Sequence, residues 1–332
     1  MRRAKLIMTS MEKRITEAPS GLIEEGRERA RFRMHDGMRL GAPTLRIKNL
    51  EEVLSFYESN LGLKANRNYQ DSDDSLGVLE LGFKSNRNDS EPILILKQDP
   101  KAAATRHDFA GLYHYAVLVP DRKSLASTYL AIEGSGASYD GFADHTFSES
   151  LYMHDVERNG IEIYADRPRN TWGTIMEAMS KGDVRGLMWL NKPLDLDSLL
   201  MELKGDETSS RSPFPRGARI GHIHLRITNL ERSVRFYHEK LGLDVRANLP
   251  EMGAAFLSVG GYHHQVGLNT WHSLGGSPHK DGQAGMENFT IRVPDVSVLD
   301  VLATEFPDSP VKNGRLSISD PDGIRILIEV ER

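Results

Sequence analysis

The sequence predicts an α+β protein of four βαβββ modules that form two incurved, barrel-like mixed sheets. Three observations carry this. Residues 45–63, LRIKNLEEVLSFYESNLGL, match residues 225–243, LRITNLERSVRFYHEKLGL, without a gap and in more than half of their positions, which marks an internal duplication. GLYHYAVLVPDRKSLASTYL at 111–130 echoes GMENFTIRVPDVSVLDVLAT at 285–304 more weakly, again as strand, Pro-Asp turn and helix. Each echo leads to a closing hairpin, SLYMHDVERNGIEIYAD at 150–166 and SISDPDGIRILIEVE at 317–331, turned by Asn-Gly or Asp-Gly.

The elements follow in order. Residues 1–38 are rich in Arg and Glu and broken by Pro19 and Gly21, which predicts a mobile or partly helical arm outside the core. The first module, at 40–98, opens with a β-rich run to Ile47, and Asn49 stands ready to cap an amphipathic helix that stops at Leu61-Gly62-Leu63. The second, at 111–167, uses Pro120-Asp121 for the same entry. Residues 168–218 read as a linker with a short helix around DLDSLLMEL before the loop GDETSSRSPFPRG. The third module, 219–272, repeats the plan of the first, and the fourth, 284–332, that of the second. Chain succession suggests two αβ domains of similar size, 39–167 and 219–332, with two successive modules to a sheet.

Composition narrows the chemistry. The 332 residues are 39% hydrophobic and 27% charged, an ordinary globular balance with room for two cores. A net charge of -5, with the basic clusters confined to the first few dozen residues, argues against a nucleic-acid partner. There is no cysteine, so disulfides, thiolate metal sites and cysteine nucleophiles are excluded, and any metal must be held by His, Asp or Glu. The apolar run in MRRAKLIMTSM is too short for a signal peptide, and no stretch is long enough to span a bilayer. A cytoplasmic protein without a membrane partner is the expectation, and a homo-oligomer fits the base rate.

The alternation of the strands places polar residues inward. In 220–228, Ile223, Leu225 and Ile227 share one face and His222, His224 and Arg226 the other. In the second module Tyr113, Tyr115, Val117 and Val119 share a face, leaving His114 opposite, and the closing strand sets Glu162 and Tyr164 against Ile161 and Ile163. Any one of these alone would read as a hydrogen-bonded core residue. Two histidines and one glutamate lining one concavity instead make a facial set that holds Fe(II) and leaves positions open. The repeats locate it: His222 is matched by Ala42, His114 by Asn288 and Glu162 by Arg325, so only the second and third modules complete a set. Ligand count thus predicts that modules two and three share the loaded cavity while one and four form a metal-free counterpart.

With GHIHLRITNLERSVRFYHEKLGL, GLYHYAVLVP, DHTFSESLYMHDVERNGIEIYADRP and GGYHHQVGLNTW in register, the chain from residue 40 to 332 resembles the vicinal oxygen chelate superfamily, and within it the type I extradiol ring-cleaving dioxygenases of the catechol 2,3-dioxygenase group. The resemblance implies that His114, Glu162 and His222 bind Fe(II), with Mn(II) as the other candidate metal. It implies that His264 is the pocket histidine that moves a proton, that Tyr152 donates a hydrogen bond to a ring oxygen, and that His145 borders the pocket. His224, Phe147 and Trp271 are candidates for the substrate wall. The implied reaction is ring opening of a catechol by dioxygen beside its diol, giving a hydroxymuconic semialdehyde-type product. Two other functions fit parts of the sequence: an isomerase or thiol transferase of the same superfamily using Zn(II), Ni(II) or Mn(II), and a metal-free binding protein. The first generally draws on more than one carboxylate; the second needs no triad.

Overall fold

A computed structural model describes residues 32–66, 78–82, 91–180, 191–205, 214–215 and 217–331. Most of the predicted N-terminal arm, residues 1–31, and part of the segment 168–218 lie outside the described residues.

Strand β1 (Arg39–Leu40) leads into module one: β2 (Thr44–Ile47), α1 (Leu50–Asn60), β3 (Lys64–Asn66), β4 (Val78–Gly82) and β5 (Leu94–Gln98). Module two is β6 (Gly111–Val119), α2 (Arg122–Ser135), β7 (Gly141–Asp144), β8 (Ser148–His154) and β9 (Gly160–Asp166). Helices α3 (Gly173–Ser180) and α4 (Leu196–Leu200) follow. Module three is β10 (Arg219–Arg226), α5 (Leu230–Arg235) running on as a π-helical turn over Phe236–Lys240, β11 (Asp244–Leu249), β12 (Ala254–Ser258) and β13 (Val266–Asn269). Module four, β14 (Gly285–Val293), α6 (Val296–Glu305), β15 (Arg315–Ser319) and β16 (Arg325–Val330), has three strands instead of four, because the stretch PDSPVKNG between α6 and β15 favours turns over strand.

The duplicated sequence acts locally as read. Asn49 accepts the N–H of Glu52 at 3.3 Å and Asn229 that of Arg232 at 2.9 Å, while Asp121 and Asp295 cap α2 and α6. At the stop of the third module, Gly242 has φ +71°, and a Cβ there would lie 2.6 Å from the carbonyl oxygen of Phe32. Residues 32–38 therefore pack where the sequence predicted a loose arm. Met34 and Met38 are buried, and the N–H of Met34 donates to the Gly242 carbonyl at 2.9 Å. Two apolar side chains in a charged stretch anchor it, together with the Arg33–Asp244 ion pair at 3.1 Å.

The sheets join modules that are not neighbours in the chain. One runs β11-β12-β13-β10-β6-β9-β8-β7, uniting modules three and two; the other runs β15-β16-β14-β2-β5-β4-β3, uniting four and one, with β1 added to β14. The expectation of two successive modules to a sheet is corrected: β10 pairs antiparallel with β6, and β14 with β2. Successive modules meet instead through their helices. The hydroxyl of Tyr57 on α1 donates to Asp155 of module two at 3.0 Å, and that of Tyr237 after α5 donates to Asp320 of module four at 3.2 Å. All four residues are buried, and each aspartate also accepts two backbone N–H groups of its own hairpin turn. The linker carries more structure than the single helix expected: α4, capped by Asp195 within DLDSLLMEL, is preceded by α3, and Trp172, Ile175 and Leu199 are buried.

Candidate metal centre

The site lies on the concave face of the sheet shared by modules two and three. In the central ladder His224 stands opposite His114, His222 opposite Ala116, and Ala116 beside Glu162 of the parallel strand β9. These pairings bring three ligand atoms together. Nε2 of His114 and Nε2 of His222 are each 3.0 Å from Oε2 of Glu162 and 3.3 Å from one another. All three residues are buried. The other carboxylate oxygen of Glu162 accepts the Ser150 hydroxyl at 2.7 Å, which fixes Oε2 toward the imidazoles. Two further fits bring the rings here. A Cβ at position 221 would lie 1.9 Å from the Tyr164 hydroxyl, so Gly221 makes room for the tyrosine ring below His222. A Cβ at 267 would meet the His224 ring at 3.0 Å, so Gly267 sets the depth of that side chain.

Protonation favours ligation. Burial pushes Glu162 up, yet the two imidazoles outweigh it and hold the carboxyl well below its ordinary range. Burial pushes His222 down to about 4 against the pull of Glu162, so at neutral pH it is an uncharged imidazole. A buried carboxylate beside the neutral imidazole of His222 calls for a cation. The triangle is about the size of one face of an octahedron with metal–ligand bonds of about 2.1 Å, and the donors are a 2-His-1-carboxylate set. The residues present therefore fit a divalent metal.

The other predicted residues fall at different depths. His264 is buried, its ring centroid 4.3 Å from that of His222. Its Nδ1 is 2.8 Å from Nδ1 of His263, whose Nε2 is 3.0 Å from Oδ1 of Asp166. Burial holds both histidines below their ordinary value. With both neutral, His263 donates to Asp166 from Nε2 and so accepts at Nδ1, His264 donates from Nδ1, and the lone pair of His264 rests on Nε2. Tyr152 pairs across the ladder with Glu162, and its hydroxyl is 2.7 Å from Nε2 of His145. Burial first, and Glu162 second, push that phenol well above its ordinary range, so it stays a donor. His145 precedes Thr146, whose φ of +69° is a strained conformation for a β-branched residue, held by its N–H bonding to Asp144 at 2.8 Å. His224 is buried with its ring 4.9 Å from that of His114, and Trp271, 46% exposed, stands beside it at 5.6 Å. Phe147 is stacked on His263 at 4.5 Å, backing the histidine pair from behind.

Two sequence readings change. Tyr113 does not share the face of Tyr115: a β-bulge at Tyr113 turns its ring toward His224 and Trp271, 5.2 Å from each. Strict alternation cannot foresee a bulge. The counterpart of Glu162 is Leu327, not Arg325, because β6 meets β9 as Ala116 to Glu162 while β14 meets β16 as Thr290 to Leu327. Gly160 is the true partner of Arg325, the hairpin turns being anchored alike by Asp155 and Asp320. The counterpart positions are thus Ala42, Asn288 and Leu327, with no His, Asp or Glu among them.

Paired βαβββ modules curled around a shared concave face define the vicinal oxygen chelate fold class. The chain belongs to the Glyoxalase/Bleomycin resistance protein/Dioxygenase superfamily, whose profile matches residues 39–174 and 219–328. It is 33% identical over 294 residues to a catechol-2,3-dioxygenase of Bacillus subtilis (strain 168), covering 87% of this chain and 93% of that protein. The fold also matches solved structures: a putative dioxygenase from Bacillus subtilis subsp. subtilis str. 168, with a TM-score of 0.56, 14% identity and coverage of 90% and 86%, and glyoxalase I from Zea mays, with 0.50, 17%, 89% and 92%. Among the described residues no helix is long and apolar enough to cross a membrane.

Proposed function

We propose that this protein opens the ring of a catechol beside its diol, using dioxygen and an Fe(II) ion held by His114, Glu162 and His222. The observation that carries this reading is the triangle of ligand atoms at 3.0, 3.0 and 3.3 Å with one carboxylate only. The dioxygenase relative supports it. When bound, the metal supplies open positions for diol and dioxygen and a path for electrons between them, which triplet dioxygen needs to react with a closed-shell ring. Both oxygen atoms end in the product, so no external reductant is required.

The protein does the rest. Nε2 of His264, left unprotonated by the chain through His263 to Asp166, is the base that takes a diol proton and returns it as the ring opens. Tyr152, kept as a phenol, donates to a ring oxygen, with His145 bonded behind it to fix its direction. Burial keeps His264 neutral, so that it can take the proton. An isomerase of the same superfamily would find a single carboxylate and a histidine base in this site, which fits it less well.

The test is anaerobic reconstitution with Fe(II), addition of catechol, and admission of air. Oxygen uptake with a yellow ring-opened product is expected. Tight Zn(II) binding with no uptake from any simple catechol would sink the reading.

A further inference from the structure

The internal duplication supplies a control for one arginine. Arg46 and Arg226 occupy the same place in the repeated phrase, and the ladders around them correspond: Arg46 pairs with Lys97 and Gly285, Arg226 with Asn269 and Gly111. Two residues beyond each pairing stand the residues that face the guanidinium. In the metal-free half these are Asp99 and Glu287, which form ion pairs with Arg46 at 2.8 and 2.6 Å. In the metal half the same two positions hold Trp271 and Tyr113. Even the bulge is preserved, at Glu287 in one half and Tyr113 in the other.

The exchange leaves Arg226 partly buried with Nε unpartnered and with no described carboxylate beside it. The titratable groups that interact with it are Tyr113, which burial keeps a neutral phenol, and His272. An unpaired guanidinium half out of water is costly to keep, and its twin shows that the fold readily supplies acids. His222, His224 and Arg226 follow one another on one face of β10 in steps of about 6.5 Å, and Nε2 of His224, between the other two, is also buried without a partner. The rings of Tyr113, His224 and Trp271 lie 5.2 to 5.6 Å from one another and wall this stretch.

We propose that Arg226, flanked by Tyr113 and Trp271, is an anion subsite that binds a carboxylate carried on a short substituent of the substrate's aromatic ring. The inference rests on the dioxygenase reading only in placing the ring's diol at the metal. A carboxylate replaces the two acids that Arg46 retains, pairing with the planar guanidinium fork while the aromatic rings cover the substituent. Specificity then lies between the duplicated halves: one arginine is spent on architecture, the other is left for substrate.

The test compares 3,4-dihydroxyphenylacetate with its methyl ester, which has the same shape without the charge. Dissociation constants are measured by calorimetry on the metal-free protein, and kcat and KM on the Fe(II)-loaded protein. Wild type should favour the acid by about tenfold or more, through KM. Arg226→Gln should bring the ratio to near one, and Arg226→Lys should keep part of it. The double variant Tyr113→Glu/Trp271→Asp, which transplants the acids of the other half, should also abolish the preference with Arg226 still in place. A wild-type ratio near one, or a preference that survives both Arg226→Gln and the double variant, would overturn the proposal. Should neither compound be cleaved while the affinity ratio and its loss persist, the dioxygenase reading fails and the subsite stands.

Discussion

The two sheets are built from the same phrases but carry different residues at a few positions, and the difference separates architecture from chemistry. In the sheet of modules two and three the concave face carries His114, Glu162 and His222; in that of modules one and four the same ladder positions hold Asn288, Leu327 and Ala42. The helix N-caps are common to both, as are the strands save one that module four lacks. Where the metal-free half needs charge it closes it on itself, as Arg46 does with Asp99 and Glu287. The other half leaves charge open toward its cavity. A duplicated fold can thus keep one copy for stability and free the other for polar groups that a core would not tolerate alone.

The largest effect should come from removing a ligand. His222→Ala is expected to abolish retention of iron through gel filtration and to lower oxygen uptake more than a thousandfold, roughly the loss of a whole catalytic centre. Ala42→His, the mirror change, should add no bound iron by metal analysis, because Asn288 and Leu327 remain. Iron appearing in the half of modules one and four would break the comparison.

A second, smaller effect concerns the base. His264→Gln should keep the iron content near wild type while kcat falls about 10²- to 10⁴-fold. His263→Gln, which interrupts the chain to Asp166 without touching the metal face, should lower kcat by less. Equal losses of iron in both variants would show that these histidines support the metal and not the proton.

The locks between successive modules offer a sharper test of common architecture. Tyr57→Phe and Tyr237→Phe each remove a buried donor to an aspartate and should destabilise the fold by about 1–3 kcal/mol, read as a drop in urea midpoint. Iron content should hold in both.

The smallest effect is a pH dependence. Burial above all, with Asp322 adding, pushes Asp320 up to about 7 against the N–H groups and the Tyr237 hydroxyl that it accepts. An unfolded aspartate releases its proton near pH 4, so the folded state holds a proton that the unfolded state has lost. The stability contributed is complete below about pH 4 and fades as the pH rises through about 7. Asp320→Asn cannot titrate, so the gap in urea midpoint between wild type and variant should shift against wild type from pH 5 to pH 8 and change little above.

Much of the fold and site is legible in the chain because it is local or repeated. The caps Asn49 and Asn229, the stops at Gly62 and Gly242, and the Asn-Gly and Asp-Gly hairpin turns come from short-range chemistry. The inward positions of His114, Glu162 and His222 come from the two-residue period of a strand, and their grouping from which repeats can complete a ligand set. Alternation fails where it must, at the bulge of Tyr113, because one extra residue breaks the two-residue period there. Alignment of the repeats by sequence alone slips by two residues and sets Glu162 against Arg325, since only the ladder register fixes which residues face each other.

The sequence by itself determined the modules, their number, the absence of any thiolate chemistry and the residues able to hold a metal, because composition and periodicity act over a few residues. Ligand count had grouped modules two and three around one cavity; the tertiary structure alone decided that they share one sheet by pairing β10 with β6, and that successive modules meet through Tyr57 with Asp155 and Tyr237 with Asp320. It also decided that His263 and Asp166 stand behind His264 and that Arg226 lacks the acids its twin possesses. These are contacts between residues tens to hundreds of positions apart, fixed by the register of strands and the packing of helices, to which no local pattern in the chain responds.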